Sequence, residues 1–176
     1  MPGIIVPRKT VGQVLNLCQG NESVDVGVSA SKIVFTFSDV VLASKLIDGT
    51  FPDFARVIPI GQNQIAIAEL DVLAAAVGLV ATVSSEKGRA VKLSFSEGNL
   101  ILSVTNAESG SATEEMAIEY DAPPIDVGFN ARYLADTLSQ IDQDEVSISL
   151  TDSASPALVR GKDDLSALFV IMPMRV

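Results

Sequence analysis

The candidates for catalysis in this chain are its carboxylates. The 176 residues contain no histidine and one cysteine, which removes Ser-His-Asp and Cys-His pairs, His-ligated zinc or iron and an imidazole pH switch. General acid–base work would need two carboxyl groups converging in one cleft. The candidates Glu114, Glu115, Asp142, Asp144 and Asp164 fall almost entirely in expected turns or on polar strand faces, where charged side chains are ordinarily solvated. Gly88, Gly98, Gly110 and Gly161 belong to separate turns and do not form a phosphate-cradling motif. No catalytic residue, metal site or cofactor is expected. A carboxylate hydrolase is kept as a rival only because Asp and Glu are plentiful.

Binding residues are easier to find. Arg8 and Lys9 precede the first expected helix, Lys87 and Arg89 follow the second, and Arg132 lies in the first turn of the third. If the helices lined one side of a curved sheet, these cations could contact phosphates without reading bases; the other reading is ordinary surface solvation. Bulk attraction to nucleic acid is excluded, because 12 Lys and Arg against 22 Asp and Glu leave a net charge of −10. The C-terminal run Phe169 to Val176 is unusually apolar for a chain end. Either it is a final core strand stopped by Pro173, which cannot donate to a ladder, or its methionines line a pocket for a peptide.

These residues must be positioned by elements that recur. One unit, read as strand, helix and three strands, appears three times, with helix openings near Thr10, Leu70 and Asn130 at a constant interval. In the first, Ile4 to Val6 is a short strand, and Thr10 with Gln13 has capping-box spacing. Val11, Val14, Leu15 and Cys18 share one helical face, so Cys18 is expected as buried filler, with no internal disulfide possible. Strands follow at Val24 to Val28, Ile33 to Phe37 and Val40 to Ile47. The second unit opens with Ile65 and Ile67, puts Leu70, Leu73, Val77 and Val80 on one helical face, and continues with strands around Val91 to Phe95, Leu100 to Val104 and Met116 to Tyr120. The third opens with Ile125 to Phe129, is capped by Asn130, and has strands at Val146 to Leu150, Ala157 to Arg160 and Ser166 to Met172. The longest uncharged apolar run, Val72 to Ser85 with 14 residues, is too short to cross a bilayer at about 18–20 residues. With no signal-peptide pattern at the N-terminus, a cytoplasmic location is expected. A single unit has too little core to stand alone. Three units give one pair and one left over, so the chain is expected to be part of something longer.

Val170-Ile171-Met172-Pro173-Met174-Arg175, together with Ser44 to Asp53 and Ile5-Val6-Pro7-Arg8-Lys9, resembles the bacterial DNA polymerase III beta subunit, the sliding clamp. Phe129-Asn130 followed by Tyr133-Leu134, and Leu150-Thr151-Asp152-Ser153, are similar to that family as well. The resemblance implies an α+β fold of duplicated β-α-β-β-β units of the DNA clamp type. Residues 1–56 would be the second half of the middle clamp domain and 57–176 the complete C-terminal domain.

The resemblance further implies a non-enzymatic processivity factor, a homodimeric ring in the full-length protein that tethers polymerase to duplex DNA without sequence preference. No membrane partner is expected. Arg8 and Lys9 would face DNA, and Thr82 and Val83, with the strand near Ser103 to Asn106, would belong to a ring-closing face. A pocket accepting short peptides from the DNA polymerase III catalytic subunit and the clamp loader would use Pro52, Arg56 and Val57 and the C-terminal Val170, Met172, Pro173, Met174 and Arg175, flanked by Tyr133 and Pro156. The rival of another class is a free-standing peptide-binding adaptor that never encircles DNA.

Overall fold

A computed structural model describes residues 3–84 and 90–176; Lys87, Gly88 and Arg89 lie outside the described residues. The chain divides into two compact units, Met1–Asp53 and Phe54–Val176.

In the first unit, helix α1 (Arg8–Cys18) is followed by a meander of β1 (Asp25–Val28), β2 (Lys32–Thr36) and β3 (Val41–Lys45), paired antiparallel in that order. The turn at Ser29 is closed by Ser29 N–H donating to Lys32 O at 2.8 Å, and the next by Phe37 N–H donating to Val40 O at 2.8 Å. The expected capping box is absent. Pro7 holds the N-cap position without a side-chain cap bond, and Val11 N–H donates to its carbonyl at 3.1 Å. Thr10 is buried one turn inside the helix, and its Oγ1 lies 2.7 Å from Ser44 Oγ, tying α1 to β3. The inward face is therefore Thr10, Val14 and Leu17. Cys18 is exposed rather than buried filler, together with Val11 and Leu15. Ile4 to Val6 does not build a strand: among the described residues its one ladder contact is the antiparallel bridge Ile5 to Ile47.

The second unit contains two four-stranded antiparallel sheets. One is ordered β7 (Gly110–Ala117), β6 (Asn99–Asn106), β5 (Ala90–Ser96), β8 (Ile125–Asn130). The other is β11 (Phe169–Ile171), β10 (Ala157–Gly161), β9 (Glu145–Leu150), β4 (Gln64–Glu69). The final strand is thus shorter than the Ser166 to Met172 span expected. Each opening strand sits in the sheet of the other repeat: β4 pairs with β9, and β8 with β5. On its free edge each is bridged by its own repeat's tail, Ile67 to Glu119 and Gly128 to Met174. The Ile5 to Ile47 bridge is the same contact in the first unit.

Helices α2 (Leu70–Ala81) and α3 (Ala131–Leu138) pack on one another and cover the inner faces. Leu73, Val77 and Val80 from α2 and Leu134 and Leu138 from α3 meet Val91, Leu93, Phe95, Ile148 and Leu150 from the sheets, all at 2% exposure or less. Each such side chain contributes roughly 1.5–3 kcal/mol through burial. The expected face of α2 holds, with Leu73, Val77 and Val80 buried and Leu70 partly so, while Ile141 lies beyond the end of α3 and is only partly buried. Gly98, at φ 68°, makes the tight β5–β6 turn that a side chain would strain. Phe95 and Tyr120 stack at 5.7 Å between ring centroids, and the Tyr120 hydroxyl lies 2.7 Å from both Pro123 O and the Gln64 side chain. Burial raises the Tyr120 pKa above its ordinary value. Among the described residues no helix is long and apolar enough to cross a membrane.

Candidate functional site

The C-terminal run is an edge strand that leaves its sheet. β11 pairs with β10 through Phe169 to Val159, Val170 to Leu158 and Ile171 to Ala157. Ile171 turns inward and is buried, while Met172 is 61% exposed. Pro173 has no N–H to continue the ladder. The chain instead crosses to the other sheet, where Met174 N–H donates to Gly128 O at 2.8 Å.

Between this segment and α3 lies a groove of about 580 Å³. One wall is Asn130, Tyr133, Asp136 and Thr137; the other is Phe169 to Met174. Asn130 fixes the first wall, because its Oδ1 accepts from Arg132 N–H at 3.0 Å and Tyr133 N–H at 3.3 Å and so sets the first turn of α3. Tyr133, 63% exposed, lines the opening together with Met172. Adaptable thioethers facing an aromatic ring suit apolar side chains of a ligand, with the Tyr133 hydroxyl, Asn130 and Asp136 available to orient it.

On the other side of the C-terminal segment a cavity of about 590 Å³ is lined by Lys92, Asp126, Gly128, Ser153, Ala154 and residues 173–176. Arg175 belongs to this cavity rather than to the groove. Lys92 Nζ lies 2.8 Å from Asp126 Oδ2, and hydrogen bonds from Lys92 and then Ser94 hold the Asp126 carboxyl below the usual carboxylate range.

The structure brings Tyr133, Val170, Met172, Pro173 and Met174 together on the groove. Pro156 is half-buried just before β10, its carbonyl 3.5 Å from Gln62 Nε2, and does not line the groove. Its approach loop is organised by Asp152, whose Oδ1 accepts from Ala154 and Ser155 N–H at 2.8 and 2.7 Å. Hydrogen bonding, chiefly from the Ser155 hydroxyl, lowers the Asp152 pKa. Arg56 ends a 3-10 turn over Phe54–Arg56, and Val57 follows it half-exposed; neither lines the groove. Pro52 is exposed in the first unit.

Sequence reasoning missed Asn130, Asp136, Thr137, Phe169 and Ile171 as lining residues. The signal was present for Asp136 and Thr137, since positions three and four beyond Tyr133 share its helical face.

The remaining site candidates lie elsewhere. Arg8 and Lys9 are exposed in the first turn of α1, where no acidic residue accompanies them. Cations at a helix N-terminus oppose the macrodipole, so these two contribute nothing to helix stability there. Arg132 faces Asp136 at 3.8 Å. Thr82 closes α2, its Oγ1 donating to Leu79 O at 2.7 Å, and Val83 O accepts from Asn106 Nδ2 at 3.1 Å. That bond joins the helix end to the end of β6. Among the described residues no group of three or more His, Cys, Asp or Glu could hold a metal ion.

Comparison with known proteins gives two adjoining family matches: DNA polymerase III beta subunit, central domain, over residues 1–53, and DNA polymerase III beta subunit, C-terminal domain, over 55–175. The beta sliding clamp of Caulobacter vibrioides is 45% identical over 177 residues, covering all of this chain and 48% of the relative. That of Pseudomonas aeruginosa is 35% identical over 175 residues, covering 98% of this chain and 47% of the relative. Among solved structures, the DnaN sliding clamp of Bartonella birtlesii bound to griselimycin superposes with a TM-score of 0.94 at 43% identity, over 100% of this chain and 48% of that one. Caulobacter crescentus pol III beta gives 0.93 at 45% identity, over 100% and 48%. The chain spans about half the length of the curated relatives it matches. Matched along nearly its whole length by these two domains, and sharing their α+β fold, the chain belongs to the family of the bacterial DNA polymerase III beta subunit, the sliding clamp.

Proposed function

We propose that this chain acts as part of a DNA sliding clamp: a non-enzymatic cytoplasmic subunit that tethers DNA polymerase to duplex DNA within a closed two-chain ring. Short, partly apolar peptides of the polymerase III catalytic subunit and the clamp loader dock in the groove between Tyr133 and the Val170 to Met174 segment. Arg56, Val57, Pro156 and Arg175 form the outer contacts of that docking site in the working assembly. The observation that carries the reading is the groove itself, an apolar slot opposing Met172 to Tyr133 in a member of the clamp family. A relative solved with griselimycin bound supports it. Family membership favours the ring over a free-standing adaptor.

Arg8 and Lys9 contact phosphates weakly and without sequence preference, as a surface that must slide requires. Thr82 and Val83 belong to the ring-closing face.

The test is titration of griselimycin against the chain and two variants. Met172→Ala removes apolar contact worth roughly 1.5 kcal/mol and should weaken binding about tenfold. Asp164→Ala, an exposed position whose Oδ1 accepts from Ser166 N–H at 2.7 Å, should leave it unchanged. Indifference to Met172→Ala would exclude the groove as the docking site.

A further inference from the structure

We infer that Gly128 is a positioning residue for the groove: its missing side chain leaves the room that the C-terminal tail fills, and so fixes where Met172 to Met174 stand. The inference rests on the peptide-docking reading above. It names a residue that does not itself line the groove.

Gly128 lies in the middle of β8, between Val127 and Phe129, which both point into the core at 1% exposure. Its own missing side chain would point the other way, toward the tail. A Cβ there would stand 2.4 Å from Val176 Cγ1, 2.5 Å from Met174 O and 3.0 Å from Val176 Cγ2. Those are overlaps, and one of them is with backbone. The glycines at 20, 49, 61, 98 and 110 have positive φ and open space around the Cβ position, whereas Gly128 is not among the positive-φ glycines and has no such space. Its conformation would accept any residue; the room would not. Gly161 is also crowded, but by the side chain of Gln143, which can swing away. At Gly128 the obstacle is the tail that continues into the groove wall.

The same residue also holds the tail by its carbonyl, through the 2.8 Å bond from Met174 N–H. Past Ile171 the ladder has ended, so this bond and the packing of Val176 over Gly128 are what register the segment. An alanine would have to push Met174 outward by about an ångström to reach ordinary contact distance. Pro173 and Met172 are joined to it covalently and must follow, while the inward-facing neighbours in β8 stay packed.

The experiment uses methyl-labelled methionine, because the chain carries reporters in both places. Met172 and Met174 line the groove, and Met116 is buried in the core at 8% exposure. In Gly128→Ala the Met172 and Met174 methyl resonances should move while Met116 stays, and affinity for griselimycin should fall at least tenfold. Val176→Gly alone should weaken binding up to threefold, by loosening the tail. Added to Gly128→Ala it should instead partly restore binding, at least threefold, by relieving the two overlaps with Val176 while that with Met174 O remains. That reversal of sign would not arise from general destabilisation. Unmoved Met172 and Met174 methyls, or unchanged affinity in Gly128→Ala, overturns the inference. So does a Met116 shift with collapse of the melting transition that Val176→Gly does not relieve. If Gly128→Ala fails to fold, Val176→Gly alone decides: an unmoved Met174 methyl with unchanged affinity overturns it. A wild-type chain that does not bind the probe defeats the docking reading instead, and the methyl shifts still judge Gly128.

Discussion

The side-chain amide of Asn106 donates to the carbonyl of Val83 at 3.1 Å, while its own Oδ1 accepts from Glu108 N–H at 2.9 Å. One side chain thus satisfies a carbonyl just past the end of α2 and shapes the turn after β6. Asn106→Ala should cost about 1 kcal/mol. A lower denaturant midpoint with an unchanged slope would register it, and amide exchange should quicken at Thr82 to Ser84.

Stability should be level across neutral pH and fall at both ends. Histidine, whose ordinary pKa lies between pH 5 and 8, is absent. Asp126, Asp152 and Asp164 have folded-state pKa values below the ordinary carboxylate value. Their contribution is therefore complete above about pH 4 and lost as pH falls through the lowered values. Tyr120 and Lys162 are raised, Tyr120 by burial and Lys162 chiefly by its hydrogen bond to Glu145. Theirs is complete below about pH 10 and lost as pH rises through the raised values. Thermal melts between pH 2 and 11 check this. Asp126→Asn should flatten part of the acid limb and leave the alkaline limb alone.

The outer edge of β1 has no strand beside it among the described residues, and Val11, Leu15 and Val26 are each more than half exposed on the same unit. In the second unit the equivalent edges are taken by the partner repeat's opening strand. The 176-residue chain should therefore self-associate, each copy lending its Ile4 to Val6 segment to the other's β1. Ser29 N–H points to β2, so by alternation Val26 N–H points outward. Val26→Pro and, separately, Leu15→Asp should each give a monomer in sedimentation equilibrium. A wild-type monomer at high concentration would contradict this.

Duplex binding should be weak and steeply salt-dependent, given a net charge of −10. Replacing Arg8 and Lys9 together by Ala should reduce the log–log salt slope by about 1.8, at roughly 0.9 per phosphate contact. Fluorescence anisotropy on two unrelated duplexes at several salt concentrations measures both slope and sequence preference, and equal affinities are expected.

Hydrophobic spacing made the repeats legible, because Leu73, Val77 and Val80, or Val91, Leu93 and Phe95, announce a buried face regardless of what covers it. Asn130 was legible as a cap for a local reason: the two N–H groups that donate to it lie within three residues. Thr10 misled because capping-box spacing is only a spacing; Pro7 already supplied an extended backbone at the helix start, and Ser44, 34 residues away, took the hydroxyl. Cys18 misled by about one residue of helical phase, which is enough to move a side chain from core to surface. The exchange of β4 and β8 between sheets was invisible, since alternation tells which face a strand hides and not which strand lies next to it. For the groove, the C-terminal run stood out by composition, but its opposite wall on α3 came into view only through tertiary contact.

The strand exchange has a consequence during synthesis. Glu69 pairs with Glu145, so β4 leaves the ribosome about 76 residues before its partner, a delay of roughly 4–15 s at ordinary elongation rates. Over that interval the nascent second unit holds an unpaired edge carrying Ile65 and Ile67, the kind of template on which other chains can add. Translation that stalls between α3 and β9 would leave every copy with the same open edge, and such stalled chains should depend on chaperones far more than the finished protein does.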